Sequence, residues 1–282
     1  MKKYSFVLEA LSPVSHGDTQ TAINNNTNIR LFMRQNVIVN GIPSRIPTLS
    51  ENSVRSVIFR KTLAEDLLIK LNVSGLPKTV VNLLFSGGNL LSGAKSSGRE
   101  FELGRSVMHN YPSLELLSGA VDSFILPESK LRPCLFPITK EYTRFLEKVA
   151  PSEVVEESKN ISVFDLIQEE TRTRGTSDES EGNQMLFTYE TLSSGSKFFV
   201  LCYLNYGVTD LCESSFFYAI KNWPGYFGGQ SRQGRGLMSI SEIDFCNNGQ
   251  LYADYIEENK EGLKSGLEDG TLGTGVVLCG GK

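Results

Sequence analysis

The chain has 282 residues, 40% of them hydrophobic and 21% charged, with a formal net charge of −4. That is ordinary globular composition, enough for one domain with large insertions or for two small ones. No apolar run reaches the ~20 residues of a membrane helix, and the start, MKKYSFVLEALSPVSHGD, lacks the apolar core of a signal peptide, so no membrane partner and a cytoplasmic location are expected. Residues 3–11 read as a strand, and the polar stretch SPVSHGDTQTAINNNTN that follows reads as a loop. IRLFMRQNVIV (29–39) reads as one further strand and GIPSRIP as a Gly/Pro turn. Ser50 has the position of an N-cap before ENSVRSVIFRKTLAEDLLIKL, with Val54, Val57, Ile58, Ala64, Leu68 and Leu71 on one helical face and Arg55 roughly opposite. Leu76–Leu91 reads as a second helix, 92–105 as a basic Gly/Ser loop entering a short helix, and 121–138 as two short strands broken by prolines.

From 151 to 184 the chain holds 9 acidic residues and little apolar periodicity after Ile167, and GTSDESEGNQ within it reads as a mobile loop. MLFTYETL and KFFVLCYLNYGV restore strand character, TDLCESSFFYAIKNW reads as a helix, WPGYFGGQSRQGRG as a glycine-rich loop and LMSISEIDF as the strand after it. Later acidic clusters such as YIEENKEG read as solvated faces or mobile loops. The order strand, helix, strands, helix, Gly-rich loop, strand predicts an α+β fold with an RRM-like (ferredoxin-like) core and large insertions.

Charge is unevenly spread. Residues 1–150 hold 18 Lys/Arg against 12 Asp/Glu, and residues 151–282 hold 10 against 20. One face for a polyanion accounts for this, and so does an unevenly charged solvated surface. The five cysteines, Cys134, Cys202, Cys212, Cys246 and Cys279, include no C-x-x-C pair, which argues against a zinc site and a disulfide framework and for reduced, mostly buried thiols. The only histidines are His16 and His109; His109 reads as structural. No cofactor or metal is expected.

Three stretches point to RNA. In GYFGGQSRQGRG (225–236), glycines including Gly229 let backbone approach a ligand, Arg232 and Arg235 supply charge for phosphate, and Tyr226 and Phe227 either stack on a base or pack inside. The P-loop pattern GxxxxGK[ST] is absent. At the helix start Ser50, Asn52, Ser53 and Arg55 have the chemistry to hold one backbone phosphate. In NNNTNIRLFMR the residues Asn28, Arg30 and Arg34 offer donors and charge, with Arg30 and Arg34 on the same face of one strand. A flexible turn, a plain amphipathic helix and a solvated strand face are the bland alternatives for the three.

SPVSHGD, IPTLSENSVRSVIFRKTLAEDLL, LFSGG, MLFTYETLSSGSKF and GGQSRQGRG occur in that order. In these elements the chain resembles the repeat-associated (RAMP) superfamily of CRISPR proteins, and within it the guide-RNA backbone subunits called Cas seven, most nearly the type IV branch. The resemblance implies an RRM-like palm over 1–250, inserted fingers at about 40–140, a thumb-like loop at about 160–185, and a C-terminal extension, 251–282, that matches nothing in the family. It implies a subunit that coats CRISPR guide RNA as a helical filament of its own copies, beside other effector subunits, and recognises target DNA or RNA through the guide. Arg172 and Arg174 are the thumb's basic residues, in an otherwise acidic segment.

Type III relatives cut target RNA with an aspartate in the loop after the first strand. Here that loop offers Asn24, Asn25, Asn26 and Asn28, with Asp18 its only carboxylate, near His16. An amide cannot act as a general base or hold a metal as a carboxylate does, so no enzymatic activity is expected. A type III-like ribonuclease using Asp18, and a decoy subunit from a phage or mobile element that inhibits a host complex, are the competing readings.

Overall fold

Strand β1 (Lys2–Ala10) alternates Tyr4, Phe6, Leu8 and Ala10 with Lys3, Ser5, Val7 and Glu9, so one face carries the apolar side chains. The computed structural model describes residues 1–17, 29–39, 41–89, 98–121, 124–174, 185–243 and 249–278. In it β1 lies in the middle of a four-stranded antiparallel sheet. Its neighbours are β10 (Lys197–Leu204) and β11 (Met238–Ile243), and β7 (Leu131–Pro137) forms the edge beyond β10. The register sets Phe6 opposite Val200, Leu8 opposite Phe198 and Leu8 opposite Ile240. Counted in chain order, the strands of this sheet lie 4-1-3-2, with helical segments after the first and third. This is an α+β fold, as expected.

Two helices cover the apolar face. Helix α1 runs over residues 51–71; the other, α7, is Asp210–Asn222. Phe59 of α1 stacks on Phe216 of α7 with ring centroids 5.3 Å apart, and Tyr4 of β1 packs against Phe216 and Phe217. The Ser50 hydroxyl caps α1 by accepting the Ser53 N–H at 3.0 Å, and Asn72 ends it in the left-handed region. Between Arg55 and Lys61 the helix is wound wider, as a π-helix, with i→i+5 pairing. The buried residues step 54, 58, 63, 67, 71, so one interval of five replaces an interval of four. That step moves Arg55 and Arg60, five apart, onto one side.

Three helices follow: α2 (Lys78–Ser86), α3 (Gly98–Asn110) and α4 (Pro112–Leu117). The end of α2 meets the short ribbon of β5 (Ala120–Val121) and β6 (Phe124–Ile125) so closely that a Cβ on Gly88 would lie 1.8 Å from the Ala120 carbonyl oxygen. The LFSGG stretch is therefore required by packing. Short helices α5 (Thr143–Leu146) and α6 (Ser152–Ser158) precede a second, three-stranded sheet in which β9 (Met185–Leu192) pairs antiparallel with β8 (Ile167–Arg174) and parallel with β2 (Ile29–Arg30).

Several expectations need correction. The stretch 29–39 is not one strand: β2 ends at Arg30 and β3 (Arg34–Val39) pairs instead with β4 (Ile42–Pro47). GIPSRIP is thus mostly strand, and its prolines are tolerated because this ribbon has a free edge. Residues 167–174, lacking apolar periodicity, form β8 at the edge of this three-stranded sheet, held by main-chain pairing with β9. The mobile loop read at 175–184 lies outside the described residues. Part of the C-terminal extension packs into the core. Helices α8 (Gln250–Glu258) and α9 (Lys260–Glu268) bury Tyr252, Ile256, Leu263 and Leu267. The Tyr252 N–H donates to Ser214 Oγ at 3.0 Å, and Tyr111 Oη donates to the Leu263 carbonyl at 2.9 Å. YIEENKEG lies in these helices, its charges outward on a sparse apolar stripe.

Cys202 and Cys212 are buried free thiols and burial pushes both thiol pKa values up, while Cys134 is half-buried. Among the described residues no helix is long and apolar enough to cross a membrane.

Because Leu267 is fully buried, Leu267→Ala should lower unfolding stability by about 2–5 kcal/mol, read as a shifted urea midpoint. An unchanged midpoint would mean that the C-terminal helices are an appendage rather than core.

Candidate nucleic-acid interface

The start of α1, the Ser15–Gly17 segment and the glycine-rich loop come together on one side of the sheet. Three concavities join there through shared walls. A polar basin of about 360 Å³ is lined by Asn52, Ser53, Arg55, Ser56, Arg60 and Ser86. A second cleft of about 360 Å³ shares Ser53 and adds Ser15, His16, Gly17, Phe227, Gly228 and Gly229. Val57 connects this cleft to a third hollow, of about 300 Å³, beside Lys61, Trp223, Tyr226 and Arg232. The three lie side by side along α1 and are together called the groove.

The glycine-rich loop is built rather than flexible. The Phe227 N–H donates to the Gly236 carbonyl at 2.8 Å, the Gly236 N–H to Pro13 at 2.9 Å, and the Gly229 N–H to Ser15 at 2.9 Å. Gly236 has φ +80°, and a Cβ there would sit 2.1 Å from the Phe227 carbonyl oxygen; Gly228, also at φ +80°, would meet the Ser15 carbonyl oxygen at 2.3 Å. These contacts send Phe227 into the core and leave Tyr226 47% exposed. Of the two aromatic residues, only Tyr226 is placed to meet a base.

At the basin, Arg60 donates to the Leu83 carbonyl at 3.1 Å, to Leu117 at 3.1 Å and to Ser118 at 3.0 Å, and Arg55 also donates to Leu117. These carbonyls close α2 and α4, where the helix dipole is negative. Burial and the neighbouring Arg55 charge lower the Arg60 pKa to about 10, and burial lowers that of Arg55. Both stay charged at neutral pH. Among the described residues neither forms an ion pair with a carboxylate, and Arg55 Nε is buried with no hydrogen-bond partner. Arg55 therefore does not lie free on the polar face as expected; the wide turn carries it to the basin wall.

Other predicted residues are spent elsewhere. Arg34 holds Glu190 through two bonds, of 2.6 and 2.7 Å, and Glu190 also accepts the Phe32 N–H. Arg235, with only 5% of its side chain exposed, pairs with Glu170 of β8. Both arginines tie the β8–β9 ribbon to the rest of the chain and are not offered to a ligand. Arg30 ends β2, in a different sheet from Arg34, so the shared strand face does not exist. Arg172 and Arg174 sit on β8, Asn28 and Asp18 lie outside the described residues, and Ser50 is engaged as the cap of α1. Asn52, Ser53, Arg55, Gly229 and Arg232 do converge on the groove, although the Gly229 N–H is already used.

Sequence reasoning gave no site role to Ser56, Arg60 and Lys61 of α1, Ser86 of α2 or Trp223 at the end of α7. His16 lines the middle cleft beside Phe227 and Phe32, its Nε2 buried without a partner and its pKa lowered by burial. His109 is exposed near the end of α3. Among the described residues no three His, Cys, Asp or Glu side chains gather as metal ligands.

No family model matches the sequence, and no curated protein does. Among solved structures, a chain titled "Type IV-B CRISPR Complex" superposes with a TM-score of 0.61 at 16% identity, over 87% of this chain and 92% of that one. The chain shares that fold. A looser likeness, TM-score 0.46 at 12% identity over 86% of this chain and 97% of the other, is to a chain of "Type III-B Cmr-beta bound to cognate target RNA".

Arg235→Ala should destabilise the protein by ~3 kcal/mol, the scale for breaking a buried ion pair, whereas Arg232→Ala should leave the melting temperature within the noise of surface substitutions. Thermal melts of the two variants side by side check this. Equal melting temperatures would show that Arg235 has no structural role.

Proposed function

We propose that this chain is a non-catalytic backbone subunit of a CRISPR effector complex, binding guide RNA along the groove mainly through phosphate and sugar. The convergence of Ser53, Arg55 and Arg232 on the groove carries this reading, and the likeness to a chain of a Type IV-B CRISPR complex supports it. The basin suits a phosphate: hydroxyls and two guanidiniums that meet only carbonyls, with no carboxylate partner among the described residues, surround it, near the positive end of a long helix. The pinned loop opposite offers Arg232 on rigid backbone.

In this reading the four-stranded sheet with α1 and α7 is an RRM-like palm, the parts of about 40–140 outside α1 and β7 are fingers, and the β8–β9 ribbon is the base of a thumb. The partners are then guide RNA, further copies of the chain along it, other effector subunits, and target DNA or RNA through pairing with the guide.

Arg232→Ala and Lys61→Ala should each weaken binding of a guide-length RNA by about 1–3 kcal/mol, and wild-type affinity should fall steeply with salt. Filter binding at several salt concentrations reads both. Wild-type affinity in both variants, or a flat salt dependence, removes the phosphate groove. Sizing with guide RNA should give particles of several copies; a single copy beside a long RNA would end the filament reading.

The assembled complex should leave labelled target RNA intact with Mg²⁺ or Mn²⁺. Site-specific cuts that disappear in Asp18→Ala would favour the ribonuclease alternative instead. Complexes that assemble with host subunits yet fail to engage target would favour the decoy.

A further inference from the structure

One aromatic side chain stands almost wholly in water. Phe164 lies in the short 3-10 turn Val163–Leu166 and is 86% exposed, although Val163 and Leu166 are both buried. The turn that carries it is fixed. The Ser162 N–H donates to Asp165 Oδ2 at 3.0 Å, the Phe164 N–H to Ser162 Oγ at 3.4 Å, and the Val163 N–H to Glu141 Oε2 at 3.0 Å. The ring is therefore held out on rigid backbone, as an interface anchor must be. Its surroundings carry Asp165, Glu141 and, on β8, Glu169 against Lys140, whose N–H pairs with the Ile161 carbonyl.

At the other end of β7 lies a cleft of about 730 Å³, larger than any of the three hollows of the groove and sharing no residue with them. Phe101 and Met108 of α3, Pro127 and Tyr206 supply its apolar surface, and the Phe101 and Tyr206 rings are both exposed. Three cations, Arg105, Lys130 and Arg132, meet two carboxylates, Glu115 and Glu128. Both carboxylates are engaged. Glu128 pairs with Arg132, and Glu115, 9% exposed, accepts the Thr209 hydroxyl at 2.7 Å. Lys130 donates to the Tyr206 carbonyl at 3.0 Å, which leaves its charge uncompensated, and Arg105 has no carboxylate partner among the described residues. The cleft thus offers exposed rings with spare positive charge, where the Phe164 turn offers an exposed ring with spare negative charge. Opposite potentials of this kind select partner and orientation.

We infer that this cleft receives the Phe164 turn of a second copy of the chain, head to tail, with the ring seated among Phe101, Met108, Pro127 and Tyr206 and with Asp165 facing Arg105. The inference rests on the reading that copies lie side by side along RNA, and it names the contact between them. Lys130 and Arg132 stand at the start of β7, and the Phe164 turn is bonded to the chain just past its end. Seven residues of strand, about 20 Å, separate the two surfaces. Used in the same direction by every copy, such a contact gives one surface and receives one, and the series stays open.

Sedimentation of the full-length protein without RNA, up to about 100 μM and so above the micromolar end of specific interfaces, tests this. Wild type should form species of more than two copies that grow with concentration. Phe164→Ala should weaken association roughly 30-fold or more, the scale of a lost aromatic anchor, and Arg105→Glu should do likewise by setting like charge against Asp165. Both side chains are exposed, so the melting temperatures should stay in the range of surface substitutions. An equal mixture of the two variants decides the geometry. The intact cleft of Phe164→Ala should take the intact turn of Arg105→Glu, and growth should stop at pairs. Retention of a short RNA, measured in parallel, should be the same for wild type and both variants. Wild type that retains RNA but stays monomeric overturns the contact and leaves the RNA-binding reading standing. Wild type that associates but retains no RNA at low salt overturns the RNA-binding reading and leaves the contact. Association that both variants keep, or a mixture that stays monomeric, overturns the assigned surfaces, and wild type that stops at two copies overturns the head-to-tail arrangement.

Discussion

Arg60 is drawn out of water to lie across the ends of two helices, its N–H groups shared among the Leu83, Leu117 and Ser118 carbonyls. Hydrogen bonds from a charged donor are worth ~1.5–3 kcal/mol each, against the several kcal/mol that a buried unpaired ion costs. The balance holds because helix ends carry partial negative charge. Much else depends on this contact. The wide turn of α1 exists where Arg55 and Arg60 reach the same carbonyl, and the chain end after α2 lies against the guanidinium, a Cβ added at Gly87 falling 3.4 Å from Arg60 Cζ. The floor of the polar basin is set by the same contact, since α2 and α4 are both hung on one side chain.

On the opposite wall the same economy appears in the backbone. The glycine-rich loop is tied to residues 13–15 and to itself, so its conformation is settled before any ligand arrives. A ligand that meets such a surface loses less in ordering protein groups than one that must fold a mobile loop around itself. The arginines then divide by what surrounds them. Arg235 and Arg34 find carboxylates on the β8–β9 ribbon and become fasteners, whereas Arg232, three residues from Arg235, faces outward from a short helical turn and keeps its charge for the groove.

The regular parts of this arrangement were legible in sequence because they depend on local chemistry. Ser50 announced the start of α1, and β1, β10, α7 and β11 fell where apolar pattern and β-branched or aromatic content placed them. What escaped was set by distant partners. No local signal tells that Arg235 will meet Glu170, 65 positions earlier, or that Arg34 will meet Glu190. The strand at 167–174 lacks an apolar face, so periodicity had nothing to detect, and the helices after 250 show their apolar side only once Ser214, Tyr218 and Tyr111 are in place to receive it. An interval of five in α1 looks like noise to a search for intervals of three and four. The groove was therefore half visible: Ser53, Arg55 and Arg232 announced themselves through motif chemistry, and Arg60, Lys61 and Trp223 did not.

The central position of β1 has a consequence for how the protein is made. Its two sheet neighbours begin at Lys197 and Met238, so β1 cannot pair in this sheet until far more of the chain has been made. Contacts so distant along the polymer require closure of long loops before any reward, which slows folding. The Ser15 segment, the start of α1 and the Gly228–Gly229 loop meet only when that closure is complete. A chain that has not yet reached Gly229 thus has no assembled groove.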